Sequence, residues 1–196
     1  MRLLFHCCCA PCTAACLETL SSEGIVLRLF WYNPNIHPFT EYKSRRDALL
    51  QYTASQNMET EMSGENGGYG LRVFLRSLGG TGGGNDDAIA RPARCESCYR
   101  LRLEKTAAHA AQNGFNGFST SLLVSPYQDH EAIRRIGGEA AARYGTAFLY
   151  RDFRPRFREG QERARSLGLY MQKYCGCIFS EEERYAKHSK KQEPSP

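Results

Sequence analysis

The chain has 196 residues, a net charge of +5 and nine cysteines, enough length for one domain with its own core. No stretch approaches the roughly 18 apolar residues that span a bilayer, and His6 with the cysteines after it interrupts the first apolar run too early for a secretory signal, so a cytoplasmic chain is expected. There thiols stay reduced, and clustered cysteines mean metal binding or catalysis more often than structural disulfides.

Leu3-Leu4-Phe5 reads as a buried strand. His6-Cys7-Cys8-Cys9-Ala10-Pro11-Cys12 follows at once, and Thr13–Leu20 reads as a helix with Thr13 as N-cap. The thiols therefore sit on a strand-to-helix turn, where an open α/β sheet presents its ligand site. No glycine lies between Leu3 and Ser22, so the turn suits metal or redox chemistry rather than a phosphate.

Ile25–Tyr32 is a second strand, 33–38 a loop fixed by two prolines and two asparagines, and Thr40 caps a helix to about Asn57 with Glu41, Arg45, Arg46 and Gln51 on its wet side. Glu59–Met62 reads as a short strand and Tyr69–Leu78 as a helix. The glycine-rich run at about 79–88 is read as a flexible insertion, since no Lys-Ser or Lys-Thr follows it. Cys95-Glu96-Ser97-Cys98 precedes a helix over Arg100–Asn113. Phe115–Leu123 reads as a strand, Glu131–Tyr144 as a helix, Thr146–Tyr150 as the last strand and Arg154–Leu167 as largely helical. Residues 1–186 form one domain, and 187–196 a disordered polar tail. Strands alternate with helices throughout, which predicts a mostly parallel, doubly wound α/β sheet.

Three thiol groups carry the chemistry: Cys8-Cys9-x-x-Cys12, Cys95-x-x-Cys98 and Cys175-Gly176-Cys177. Two thiols from each of the first two give four metal ligands, which zinc and an iron–sulfur cluster both accept. Adjacent Cys8 and Cys9 favour the cluster, because neighbouring side chains turn poorly to one tetrahedral ion, although zinc, or no metal at all, stays open. Gly176 lets Cys175 and Cys177 close a small, strained and therefore reducible disulfide; the plain alternative is two more metal ligands. Cys7 and Cys16 read as core thiols. His37 and His130 either orient substrate or are satisfied loop histidines. Asp152, between Arg151 and Arg154, reads as an ion pair, with a proton relay or outer metal ligand as the sharper alternative. Six arginines between Arg151 and Arg165, including Arg154 and Arg158, interleave with aromatics, and Tyr99 follows the CxxC. That mixture suits an unstacked RNA base on a phosphate backbone, against the plain reading of a solvated helix face.

The chain resembles the QueH-type epoxyqueuosine reductases. The resemblance rests on His6-Cys7-Cys8-Cys9-Ala10-Pro11-Cys12, Tyr32–Pro38, Arg94–Leu103, Thr120–His130, Tyr150–Arg154 and Gly168–Cys177, and so spans nearly the whole chain. It implies a Rossmann-like fold with a 4Fe-4S cluster held by Cys8, Cys9, Cys95 and Cys98, and a redox-active Cys175/Cys177 pair with a disulfide state. It further implies a second mononuclear iron, with Cys12 as candidate ligand. The implied substrate is epoxyqueuosine at the wobble position of tRNAs with GUN anticodons (Asp, Asn, His, Tyr). Its epoxide is reduced without cobalamin, using an external electron donor that the sequence does not name. Rival readings are a zinc-stabilised RNA-binding module and an ATP-dependent tRNA thiolation enzyme. The latter needs a Ser-Gly-Gly-type loop where this chain has His6-Cys7-Cys8.

Overall fold

A computed structural model of the chain describes residues 1–64, 68–79 and 90–189. Strands β1 (Arg2–His6), β2 (Val26–Trp31), β3 (Thr60–Met62), β4 (Gly117–Thr120) and β5 (Ala147–Phe148) form one sheet in the order β3-β2-β1-β4-β5. Every pairing is parallel. In a sheet covered on both faces, strands read as continuous apolar runs rather than alternating ones. Leu3, Leu4 and Phe5 on β1 and Leu29, Phe30 and Trp31 on β2 are all fully buried.

The helices are α1 (Ala10–Ser22), α2 (Phe39–Ser55), α3 (Leu71–Gly79), α4 (Ala93–Gln112), α5 (His130–Tyr144), α6 (Phe157–Ser166) and α7 (Ile178–Ser189). α1 packs against α2 and α6, while α4 packs against α3 and α5. Right-handed crossovers require this division into two faces when the chain winds outward from β1 to β3 and then back to β4. The winding reverses between β1 and β4, and the turns after those two strands open onto a common crevice. His6 locks that point. Its Nε2–H donates to the Tyr32 carbonyl at 3.1 Å and its Nδ1 lies 2.9 Å from the Thr120 hydroxyl, so β1 is tied to the ends of both neighbours.

Several boundaries differ from the sequence reading. Cys9, not Thr13, caps α1: its backbone is extended at φ −171°, ψ 160° and its sulfur accepts from Cys12 N. Thr13 lies inside the helix and its hydroxyl bonds back to the Cys9 carbonyl at 2.8 Å. Cys95 and Cys98 lie on the first turns of α4 rather than before it. β4 ends at Thr120, where the Thr120 hydroxyl accepts from Leu122 N and turns 121–124 into a 3-10 helix. β5 keeps two residues of the expected five. Glu41 and Arg45, expected on a wet face of α2, are buried, because residues 170–177 lie across that face. The expected tail begins inside α7, which runs to Ser189; the rest of the tail, and the glycine-rich insertion apart from Gly79, lie outside the described residues.

Candidate active site

The turn after β1 and the 3-10 helix after β4 are stitched together at the switch point. Cys8 N donates to Ser121 Oγ at 2.9 Å, and that hydroxyl lies 3.2 Å from Cys8 Sγ, to which it donates in turn. Because Cys9 caps α1 in an extended conformation, its side chain folds back toward the helix start. Cys8 and Cys9 sulfurs come to 3.8 Å, and the sulfurs of Cys8, Cys9 and Cys12 all lie within 4.8 Å of one another. Two thiolates on one tetrahedral ion with metal–sulfur bonds of about 2.3 Å sit about 3.8 Å apart. The trio therefore fits a metal ion, and the expectation that neighbouring cysteines turn poorly to one point does not hold here. Among the described residues, Cys95 and Cys98 do not join this 4.8 Å group. Cys98 instead packs with Cys177, Phe74 and Leu78.

The electrostatics of the trio are uneven. The Cys12 and Cys9 thiols, with smaller help from Ser121 and His6, hold Cys8 well below the usual thiol range despite its burial. The neighbouring Cys8 and Cys9 sulfurs drive Cys12 well above it, and burial drives Cys9 up as well. One thiolate is thus stabilised among three thiols. The positive end of the α1 dipole favours that charge. Gln172 reaches over the trio, its Nε2 at 3.0 Å from Cys9 Sγ and 3.8 Å from Cys12 Sγ, while its Oε1 is buried without a partner among the described residues. Burial pushes Cys98 up to about 12 against the opposing pull of Arg102, which donates to its sulfur at 3.1 Å.

Cys175 and Cys177 are both free thiols. Cys175 is exposed on the wall of a cavity of about 750 Å³ that also holds Cys8 and Cys12. Cys177 is buried against Cys98. Gln128 links the first of these to the predicted Tyr99: the Tyr99 hydroxyl donates to Gln128 Oε1 at 2.8 Å, and Gln128 Nε2 lies 3.6 Å from Cys175 Sγ. Tyr99 itself is buried and does not line the cavity. His37 is also buried, packed between Tyr69 and Phe74, and burial pushes it down to about 4. Its backbone meets the cysteine turn, its N–H donating to Gly176 O at 2.8 Å.

The arginine-rich stretch is largely paired. Arg151 meets Glu23 at 2.7 Å and Arg156 meets Glu18 and Glu159. Asp152 accepts from Arg154 through both oxygens, and that pairing holds it down to about 2. Arg158 is exposed and has no acidic partner among the described residues. His130 is buried beside Tyr150. Ser121, Gln128, Gln172 and the buried Arg45 are site residues that the sequence reading missed. Only the polar end of the β4 segment hinted at one of them.

This arrangement defines a class: a parallel α/β protein whose switch-point crevice carries a cysteine group able to hold a metal, with a further thiol, Cys175, on the wall of the same cavity. The family model described as "Epoxyqueuosine reductase QueH" matches residues 3–183. A protein of that name from Dehalococcoides mccartyi is 37% identical over 188 residues, 95% of this chain and 96% of its own length. Those from Thermotoga maritima and Acinetobacter baylyi are each 33% identical, covering 95% and 91% of this chain and 94% and 80% of theirs. The chain belongs to the epoxyqueuosine reductase QueH family.

Proposed function

We propose that this chain reduces the epoxide of epoxyqueuosine in the wobble position of tRNA to the alkene of queuosine, the last step of queuosine biosynthesis. The observation that carries the reading is the end-to-end family match together with thiols on two walls of one cavity. The balance is simple: epoxide plus dithiol gives alkene, water and disulfide. Two C–O bonds break, one S–S bond forms, and the two thiol protons leave with the oxygen. The dithiol is Cys175 with Cys177, restored by an external reductant in the cytoplasm, and neither cobalamin, flavin nor nicotinamide is required.

Cys8, Cys9, Cys95 and Cys98 are the ligands assigned to a 4Fe-4S cluster, and Cys12 the candidate for a second iron. The sulfur spacing of the trio supports a metal at Cys8, Cys9 and Cys12. When bound, such a centre supplies electrons one at a time and Lewis acidity toward the departing oxygen. The protein's own part is positional. Ser121 fixes Cys8, Gln172 donates to Cys9, and the Tyr99–Gln128 chain orients the Cys175 wall. A cavity of about 750 Å³ is in the range that encloses a small ligand, so it accommodates one flipped modified base rather than a duplex. Tyr127, 81% exposed at the rim and edge-on to Phe157, offers a stacking face. Arg91, Lys173 and Arg184 on the wall, with Arg158 outside it, supply charge for the backbone of tRNAs with GUN anticodons (Asp, Asn, His, Tyr), while Arg151 and Arg154 are neutralised by Glu23 and Asp152. Asp152 is held through both oxygens by Arg154 and does not line the cavity, so no proton relay runs through it.

The test is anaerobic incubation of the iron-loaded protein with epoxyqueuosine-containing tRNA and a low-potential reductant, followed by mass analysis of nucleosides. Loss of one oxygen from the modified base is expected, and failure of Cys8→Ser and Cys9→Ser to do so. Unchanged epoxyqueuosine with fully iron-loaded wild type rejects the reading.

A further inference from the structure

One buried ion pair lies outside the thiol trio. Arg45 and Glu41 are 3% and 7% exposed, and Arg45 Nε donates to Glu41 Oε1 at 2.6 Å. Such a pair is by itself weak support for stability, because desolvation offsets much of the attraction. The direction of the remaining guanidinium donors is more informative. Nη2 donates to the Tyr174 carbonyl at 2.8 Å and Nη1 to the Cys175 carbonyl at 3.1 Å. The guanidinium carbon lies 5.7 Å from the Tyr174 ring centroid. The second Glu41 oxygen accepts from the Tyr170 hydroxyl. One buried ion pair thus fastens the chain at residues 170, 174 and 175 to α2.

The turn is shaped around that guanidinium. Gly176 has φ 117°, a conformation that strains any side chain, and a Cβ there would lie 3.1 Å from Arg45 Nη1. From the other side, the Tyr174 hydroxyl donates to the His37 carbonyl at 2.7 Å. Burial works against the charge on Arg45, but Glu41 first, then Cys9 and Cys175, outweigh it, so it stays cationic between the two thiol groups.

We infer that Arg45, held by Glu41, is a positioning residue for the Cys175-Gly176-Cys177 turn, keeping Cys175 on the cavity wall while Cys177 faces Cys98. The inference rests on the reading of these two cysteines as a redox pair. In the observed state the thiols have different surroundings: Cys175 meets Gln128, and Cys177 meets Ser180 N, Cys98 and Phe74. Closing them into a disulfide takes at least one of them out of these surroundings, and moving Cys175 disturbs the carbonyls of 174 and 175 that the guanidinium grips. Arg45 therefore favours the dithiol. A lysine keeps the charge but loses the planar fork that reaches two successive carbonyls and a carboxylate at once.

The test uses full-length, iron-loaded Arg45→Lys, Arg45→Gln and Glu41→Gln. Each is equilibrated in glutathione buffers, where dithiol plus oxidised glutathione gives disulfide plus two reduced glutathiones, then acid-quenched, alkylated and weighed. Loss of the fork is expected to move the Cys175/Cys177 equilibrium toward disulfide by about tenfold, which is about 30 mV for a two-electron couple. Alkylation of Cys177 in the reduced protein should quicken, with iron content unchanged and kcat falling more than KM rises. Should Arg45→Gln fail to fold, Arg45→Lys and Glu41→Gln carry the same readouts. An equilibrium and an alkylation rate within twofold of wild type in the folded variants overturn the inference. A Cys175→Ser/Cys177→Ser protein run alongside separates the two ideas. Full multiple turnover by that protein sinks the redox reading, while a shifted equilibrium in the Arg45 variants still establishes the positioning.

Discussion

Gly160 tests how the thiol turn is held in place. It lies on α6 where that helix crosses the start of α1, and a Cβ built there falls 2.5 Å from the Pro11 carbonyl oxygen and 2.7 Å from Ala15 Cβ. Both obstacles are rigid, one of them backbone in the first turn of the helix that Cys9 caps. Relieving the clash needs a separation of several tenths of an ångström, and overpacking of this kind costs about 1–3 kcal/mol. Alanine recovers about 1 kcal/mol of helix propensity. Gly160→Ala is therefore expected to destabilise by up to about 2 kcal/mol, which for a chain of this size lowers Tm by up to about 8 °C. The displaced Pro11 carbonyl also loosens the sulfur trio, so iron should be lost to a chelator faster. Gly138→Ala is the internal control. Gly138 is also helical, but its Cβ would meet nothing within 4 Å, so the same substitution should stabilise by about 0.5–1 kcal/mol. Thermal melts by circular dichroism and a timed chelator assay read both variants. If Gly160→Ala stabilises as much as Gly138→Ala, α6 does not press on the thiol turn and the reasoning fails.

The Cys175→Ser/Cys177→Ser protein is expected to keep near-normal iron and lose multiple turnover, and a colourless preparation would instead make these thiols ligands. Burial holds His37 at about 4 against 6.5 unfolded, so the unfolded chain binds more protons between those values. Stability from this site is complete above pH 6.5 and drains away as pH falls toward 4, by up to roughly 3 kcal/mol. His37→Gln should therefore narrow the gap between urea midpoints at pH 7.5 and 5, and an unchanged gap refutes the assignment. Lys173→Gln/Arg184→Gln should weaken tRNA binding and reduce its log–log salt slope by about 1–2, as lost phosphate contacts do, with a wild-type slope placing the tRNA elsewhere.

What the sequence disclosed follows how local each signal is. β1 and its cysteine turn were legible because a fully buried parallel strand is a bare apolar run, and here it stops abruptly at thiols. The helical CxxC was displaced by only one or two turns. Arg45 and Glu41 were not legible. On α2 alone they fall where charged residues face water, and only the return of residues 170–177, over a hundred positions later, buries them. α7 was missed for a related reason: it is mostly polar, and what docks it is tertiary, the Arg94–Glu183 ion pair and Arg94 over the Phe179 ring. Arginine clustering after β5 was visible, but the partners that neutralise much of it, Glu18 and Glu23, come from the far end of the chain.

Charge accounts for why these separate elements meet at one place. Three thiols within 4.8 Å in a buried turn cannot all ionise unaided, and accordingly Cys8 is favoured as thiolate while Cys9 and Cys12 are driven the other way. A bound cation removes that limit, because thiolates are the ligating form and each added ionisation is then compensated. The fold also supplies two fixed positive groups on the cavity wall. Arg102 acts on Cys98, Cys175 and Cys8, while Arg45 acts on Cys9 and Cys175. Both are nearly inaccessible to solvent, so water screens them little. Each is also tied to a thiol-bearing segment, Arg102 to Cys98 and Arg45 to the carbonyls beside Cys175. The positive groups that offset a thiolate-rich centre are thus the groups that fix where its sulfurs sit, so loosening either one alters charge balance and geometry together.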